Sequence, residues 1–245
     1  MNKKKPGTPR TRNAHVKGGI RSLSPIALPN PEFRRGRTVF AALKKRRTVR
    51  TISGRKLALR TLSNLLWAAC GVNRKRGPFG VAGRTAGSAS NSQEIDVYVA
   101  LPEATYLYEA AAHRLTPVAA GDLRALAIGP GQQGAGRDAR VRLIYVVDLE
   151  KFKLAGFQEP GLYDREIQKS YYYVDTGLIA ENVYLFASSE GLATWFHNCH
   201  RRALARALKL RPGQRALFGQ TVGYPKRGEA GPIRTGPVVK KTRNN

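Results

Sequence analysis

The chain has 245 residues, 42% of them hydrophobic, enough for one substantial core, so disorder throughout is excluded and a single domain with basic ends is expected. A formal net charge of +27, from 43 Lys and Arg against 16 Asp and Glu, would favour any polyanion at low salt and keeps nucleic acid among the possible partners. Two cysteines without a CxxC pair, and no run of ~18 apolar residues, exclude a disulfide framework and a helical membrane span; a reducing, cytoplasmic setting is the expectation.

Residues 1–22 combine Lys, Arg, Pro and Gly with few apolar side chains and read as a disordered basic tail. A folded domain is expected over 23–228, and a second basic tail over 229–245. TVFAALKKR (38–46) places Val39, Ala42, Leu43 and Arg46 at helical spacing and hands over to an extended TVRTIS. LALRTLSNLLWAACG (57–71) carries Leu59, Leu62, Leu65, Leu66 and Ala69 on one stripe, a helix capped at Gly71.

The period then changes. EIDVYVAL (94–101) alternates as a strand, YLYEAAAHRLTPV (106–118) reads as a hairpin, and VRLIYVVDL (141–149) as a buried strand. Between them GDLRALAIG (121–129) is expected as a short helix and the glycine-rich GPGQQGAGRD (129–138) as a mobile loop. From Glu166 to Ala187, Ile167, Tyr171, Val174, Leu178, Val183 and Phe186 suit a long helix, broken at Gly191. FHNCH (196–200) reads as a turn following a helix, RRALARALKL (201–210) as a short helix, and ALFGQTVGYP (216–225) as a last strand halted by Pro225. The sum is an α+β protein without internal repeats.

Three constellations carry possible chemistry. In LKKRRTVRTIS (43–53), Arg46, Thr48 and Arg50 alternate, so an extended strand would point them the same way to grip a phosphate; a solvated charged face is the ordinary alternative. Lys44 and Lys45 read as solvated helix-end charges. In GRTAGSASNSQ (83–93), Ser88, Ser90, Asn91 and Gln93 could border a polar heterocycle, with Asn91 as an amide partner, although such composition usually means a plain surface loop. In FHNCH, His197, Cys199 and His200 are metal-ligand types, but their spacing fits no structural zinc pattern and no second cluster completes four ligands, so no metal is expected. No GxGxxG occurs in a βαβ setting, and neither GxxxxGK[ST] nor GxSxG is present.

Taken in order from about Leu28 to Tyr224, these pieces resemble the flavin-dependent nitroreductase family, and within it the branch of SagB-type azoline dehydrogenases and small nitroreductases. LPNPEFRRGRTVFAALKKRRTVRTIS is similar to the family's Pro-flanked entry, helix and Arg-x-Ser/Thr-x-Arg. LSNLLWAACGVN (62–73) resembles the helix that follows. GSASNSQEIDVYV resembles Pro-Ser-x-x-Asn-x-Gln, with Gly87 replacing proline and Ala89 a common serine. DTGLIAENVYLFASSEGLAT (175–194) is like the central dimer helix, and TVGYPK (221–226) like the closing strand and turn.

The resemblance implies a nitroreductase-like α+β fold, a central mainly antiparallel sheet flanked by helices, in an intertwined homodimer with one FMN at each of two interface sites. Arg46, Thr48 and Arg50 would hold flavin phosphate and ribityl, with Arg47 adding contact; Ser88, Ala89, Ser90, Asn91 and Gln93 would border the isoalloxazine. His197, Asn198 and Cys199 would form a loop near flavin N5, where FHNC departs from the family's glycine-containing stretch. Lys226, Arg227 or Arg234 would supply a second phosphate contact. The implied activity is ping-pong: NADPH or NADH reduces FMN, and a nitroaromatic or quinone-like small molecule takes the electrons, with no catalytic side chain required. Two alternatives stand beside it: a SagB-type dehydrogenase oxidising an azoline or other organic donor, and a nucleic-acid-binding protein using its basic tails on the same scaffold.

Overall fold

The structure, a computed structural model, describes Ile20 and residues 23–34, 36–132, 134 and 136–226. Apart from Ile20, the two expected basic tails lie outside the described residues, as do Arg227 and Arg234.

The first described strand is the short β1 (Ile26–Ala27). Helix α1 (Val39–Lys45) is capped by Thr38, whose hydroxyl accepts from the Ala41 N–H at 3.3 Å. It buries only Ala42, leaving Val39, Phe40 and Leu43 at 67, 86 and 50% exposure. Helix α2 (Leu59–Cys70) buries the expected Leu62, Leu65, Leu66 and Ala69. Its cap is Gly71, extended rather than left-handed; a Cβ there would lie 2.4 Å from Trp67, so close approach to Trp67 is what asks for glycine.

A small ladder of β2 (Val72–Arg74) and β3 (Gly83–Arg84) precedes the main sheet. The alternating segment forms β4 (Ile95–Ala100), and the hairpin forms β5 (Ala104–Glu109) and β6 (Arg114–Ala120). The apolar run becomes β7 (Val141–Asp148), buried at every position. Helix α3 (Arg165–Glu190) starts on Asp164, whose carboxylate accepts from the Glu166 and Ile167 N–H groups, and ends on Gly191 at φ 70°. Then come β8 (Ala193–His197), α4 (Arg201–Ala207) and β9 (Gln214–Gly223).

The sheet runs β1-β6-β5-β4-β7-β9-β8, with every described pairing antiparallel. This is the expected α+β arrangement of a central antiparallel sheet with flanking helices. Burial of β7 on both faces follows from a helix layer on each side. Val97, Val99, Leu143 and Tyr145 face α2 and α3, while Tyr98, Ile144 and Val146 alternate to the other side against Leu204 and Leu208.

Three local expectations are corrected. GDLRALAIG is no helix but a single turn, in which Leu123 O accepts from the Leu126 and Ala127 N–H groups at 3.0 and 3.3 Å; the Arg124 carbonyl accepts from both Ala127 N–H and the Arg142 guanidinium, and the Leu126 carbonyl from the His200 N–H. FHNCH does not follow a helix: Phe196 and His197 end strand β8, paired with Gln220 and Gly219 of β9. The long helix exists, but it buries Tyr172, Asp175, Thr176, Ile179, Val183 and Tyr184. Ile167, Val174 and Leu178 of the expected stripe stand 41, 60 and 46% exposed.

Candidate functional site

The Arg46–Ser53 segment is extended and docks along the β8 edge. Val49 N–H donates to Thr194 O at 3.0 Å and Ser53 N–H to Tyr224 O at 2.8 Å. Ahead of these anchors the Arg46 and Thr48 side chains meet α3. There Tyr184 acts as a hub: its hydroxyl lies 3.1 Å from Thr48 Oγ1 and accepts from the Phe196 N–H at 3.0 Å. The Arg46 guanidinium carbon stands 5.3 Å from the Tyr184 ring centroid, with Nε 3.7 Å from Glu181.

Beside this hub opens a cleft of about 690 Å³, lined on its charged side by Arg37, Lys44, Lys45, Arg46, Arg47 and Lys226. Lys44 and Lys45, expected as solvated helix-end charges, are therefore part of the cleft wall. Glu181 and Asp138, the latter 2.9 Å from Lys226 Nζ, offset only part of this charge. Volume and charge suit a ligand carrying a phosphate. Arg50 departs from its neighbours: it stacks at 5.4 Å on the Trp195 ring outside the cleft lining.

The second cluster is the Ser88–Gln93 loop, and its backbone is strained. Ser90, Asn91 and Gln93 all have left-handed φ, at 48, 54 and 51°. Each such residue costs of order 1 kcal/mol and persists only where its surroundings over-determine it. Those surroundings are specific. Ala89 N–H donates to Asp175 Oδ2 at 2.9 Å, Gln93 N–H to Ser88 Oγ at 3.0 Å, and Gln93 Nε2 to Ala82 O at 2.7 Å. Asn91 Oδ1 accepts from Gln93 Nε2 at 3.0 Å, whereas its Nδ2 is a buried donor with no partner. An orphaned amide N–H on a strained loop is what a ligand's acceptor edge would complete.

His197, Asn198 and Cys199 do not line the cationic cleft. The buried His197 ring is held by Thr221 Oγ1 at 2.8 Å and Asn198 O at 2.9 Å, and burial pushes its pKa down to about 4, so it is neutral. Burial pushes the Cys199 thiol up to about 11, which removes nucleophilic character at neutral pH. Among the described residues no group of three or more His, Cys, Asp and Glu is placed to hold a metal, and no helix is long and apolar enough to cross a membrane.

Thus one chain brings Arg46, Arg47, Thr48 and Lys226 together, and Ser88 to Gln93 together, but not the two sets with each other. Asp175, which holds the loop, and Tyr184, which anchors the cleft, are nine residues apart on α3, ~13 Å along its axis. Sequence reading missed Tyr184, Asp175 and Glu94. Asp175 carried no local signal, since it shares its buried helix face with the polar Thr176.

Tyr184→Phe tests the hub. Loss of the hydroxyl strands the Phe196 N–H and frees Thr48, at a cost of about 1–3 kcal/mol. A fall in melting temperature of roughly 2–10 °C is expected, read by circular dichroism; an unchanged midpoint would remove Tyr184 from this role.

Comparison with known proteins places these features. The model of the nitroreductase family matches residues 43–224. A crystal structure from Ralstonia eutropha JMP134, provisionally named a nitroreductase, is 32% identical, with a TM-score of 0.70 over 82% of this chain and 90% of that one. A protein of Methanocaldococcus jannaschii with the same provisional name is 29% identical over 152 residues, 62% of this chain and 74% of the relative. The Escherichia coli microcin synthetase McbBCD complex with truncated pro-MccB17 bound shares the fold at 18% identity, with a TM-score of 0.59 over 82% of this chain and 78% of that chain.

Proposed function

Since this chain belongs to the nitroreductase family and shares its general oxidoreductase role, we propose that it is an FMN-dependent oxidoreductase that takes electrons from NADPH or NADH and passes them to a nitroaromatic or quinone-like acceptor. The observation that carries the reading is the pairing of a cationic cleft, walled by Arg46, Arg47 and Lys226, with a strained loop whose Asn91 Nδ2 has no partner. Bound FMN would supply the hydride chemistry, and the protein's part is binding and orientation.

In this reading Arg46, Arg47 and Lys226 hold the phosphate, Thr48 the ribityl chain, and Arg50 stands toward the ring end beside Trp195. Ser88, Ala89, Ser90, Asn91 and Gln93 border the isoalloxazine. The 197–199 segment contributes main-chain atoms, because the His197 and Cys199 side chains are buried in the protein. Separation of the two clusters within one chain supports a homodimer, in which one chain's cleft meets its partner's loop. The exposed Val39, Phe40 and Leu43 on α1 and Val174 and Leu178 on α3 supply the apolar surface that such a dimer would cover.

The visible absorption spectrum tests the reading most directly. Purified protein given FMN, then NADPH without oxygen, is expected to retain flavin bands through gel filtration and to bleach. A protein that stays colourless at saturating FMN overturns the proposal.

A further inference from the structure

Beneath the strained loop lies a buried pair of carboxyl groups for which hydride chemistry has no use. Glu94, at the loop's exit into β4, is fully buried, and Asp175 of α3 is 5% exposed. Ser92 Oγ donates to Glu94 Oε2 at 2.7 Å, and Asp175 Oδ2 accepts the Ala89 N–H. The remaining Glu94 oxygen, Oε1, is buried without a partner, and both carboxyls line one small cavity beneath the loop together with Ser88 and Gln93. Two ionised carboxylates cannot donate to each other, so with both charged the contact is repulsive and Oε1 stays orphaned. A single proton between them removes both defects.

The nearby cations are engaged elsewhere. Arg84 of β3 directs its guanidinium to Gln93 Oε1 and Cys70 O, and Lys151 pairs with Asp96. Glu159 is engaged by the Ser90 hydroxyl, while Tyr171 and the protonated Cys70 thiol are the other titratable groups nearby. Among the described residues no Lys or Arg forms an ion pair with Glu94 or Asp175. Burial, and then the neighbouring Asp175 charge, push Glu94 up to about 8; burial likewise raises Asp175.

We propose that Glu94 and Asp175 share one proton, and that this shared proton holds the Ser88–Gln93 loop in its left-handed backbone by letting Asp175 keep the Ala89 N–H. Both are positioning residues, and the statement that the loop they hold borders a flavin rests on the function proposed above. Loss of the proton at alkaline pH would leave two buried charges in contact, and the loop, already strained, would be the element to yield.

The test compares wild type with Glu94→Gln and Asp175→Asn, in which an amide N–H replaces the shared proton at nearly unchanged volume. Hydrogen–deuterium exchange of the 86–94 backbone, corrected for intrinsic rates, would be followed in the full chain from about pH 6.5 to about pH 9.5. Protection in wild type is expected to fall about tenfold over that range and to stay within about twofold in both variants. Equal pH dependence in all three proteins overturns the proposal, and the second amide variant serves if the first fails to fold.

Melting temperature gives an independent check. The native state keeps the Glu94 proton that the unfolded chain releases, so the stability of wild type relative to Glu94→Gln falls as pH rises from about 4.5 to about 8, then levels. A pH-independent difference counts against the shared proton. FMN titration of the same samples separates the two readings: no flavin binding alongside a wild-type-only exchange transition removes the flavin and supports the proton.

Discussion

Replacing Arg46 and Arg47 together by alanine is expected to weaken FMN binding by roughly 100- to 10,000-fold. Two charge-assisted phosphate contacts are each worth ~1.5–3 kcal/mol, and neighbouring terms need not add fully. Both guanidinium groups stand on the wall of the cationic cleft, and removing them leaves Arg37, Lys44, Lys45 and Lys226, the last paired with Asp138, as its lining cations. Fluorescence titration of flavin into the purified protein measures the change. Arg50→Ala is the informative control: its guanidinium lies over Trp195 rather than in the cleft, so a loss of about tenfold or less is expected. Unchanged affinity in the double variant, or an equal loss from Arg50→Ala, would move the phosphate site elsewhere.

A second large effect is expected at a residue outside the cleft lining. Arg142, 3% exposed on β7, donates to the Arg124, Gly136 and Arg137 carbonyls and so ties down the 122–137 connection. That connection backs the proposed site. A Cβ on Gly136 would lie 3.6 Å from Arg50 O, and Asp138 pairs with Lys226. Burial, and then Arg124, draw the Arg142 pKa down to about 10, which leaves it charged at neutral pH. Arg142→Ala strands buried carbonyls and opens a cavity, at about 3 kcal/mol, so a melting-temperature loss of roughly 6–12 °C is expected, together with weaker flavin retention. Lysine should rescue little, because a single ammonium cannot replace a planar fork serving three acceptors. A thermally neutral Arg142→Ala would show that the connection holds itself.

The oxidoreductase reading also changes the meaning of the charge. A +27 chain invites a nucleic-acid interpretation, yet Arg37, Lys44, Lys45, Arg46, Arg47 and Lys226 converge on one cleft with apolar lining from Val49, Ala187 and Leu192. A concave site of mixed polarity suits a small phosphorylated ligand better than a polymer backbone, for which a stripe of exposed cations would serve.

The sequence by itself determined the features that depend on near neighbours along the chain. Period-two alternation marked β4, a continuous apolar run marked β7, the leucine stripe marked α2, and one short cationic run held Arg46 and Arg47 of the cleft wall, because each pattern is complete within one short segment. Tertiary structure alone decided what depends on remote partners. Phe196 and His197 became strand because β9 offers an edge to pair with, and GDLRALAIG stops at one turn, its Leu126 carbonyl bonded to the remote His200 N–H and its Arg124 carbonyl shared with Arg142. The buried face of α3 was hidden in the sequence because it contains Asp175 and Thr176, polar residues that go inside only when something waits there to bond them. For Asp175 that partner is the Ala89 N–H, 86 residues away along the chain; no local pattern encodes a contact of that span.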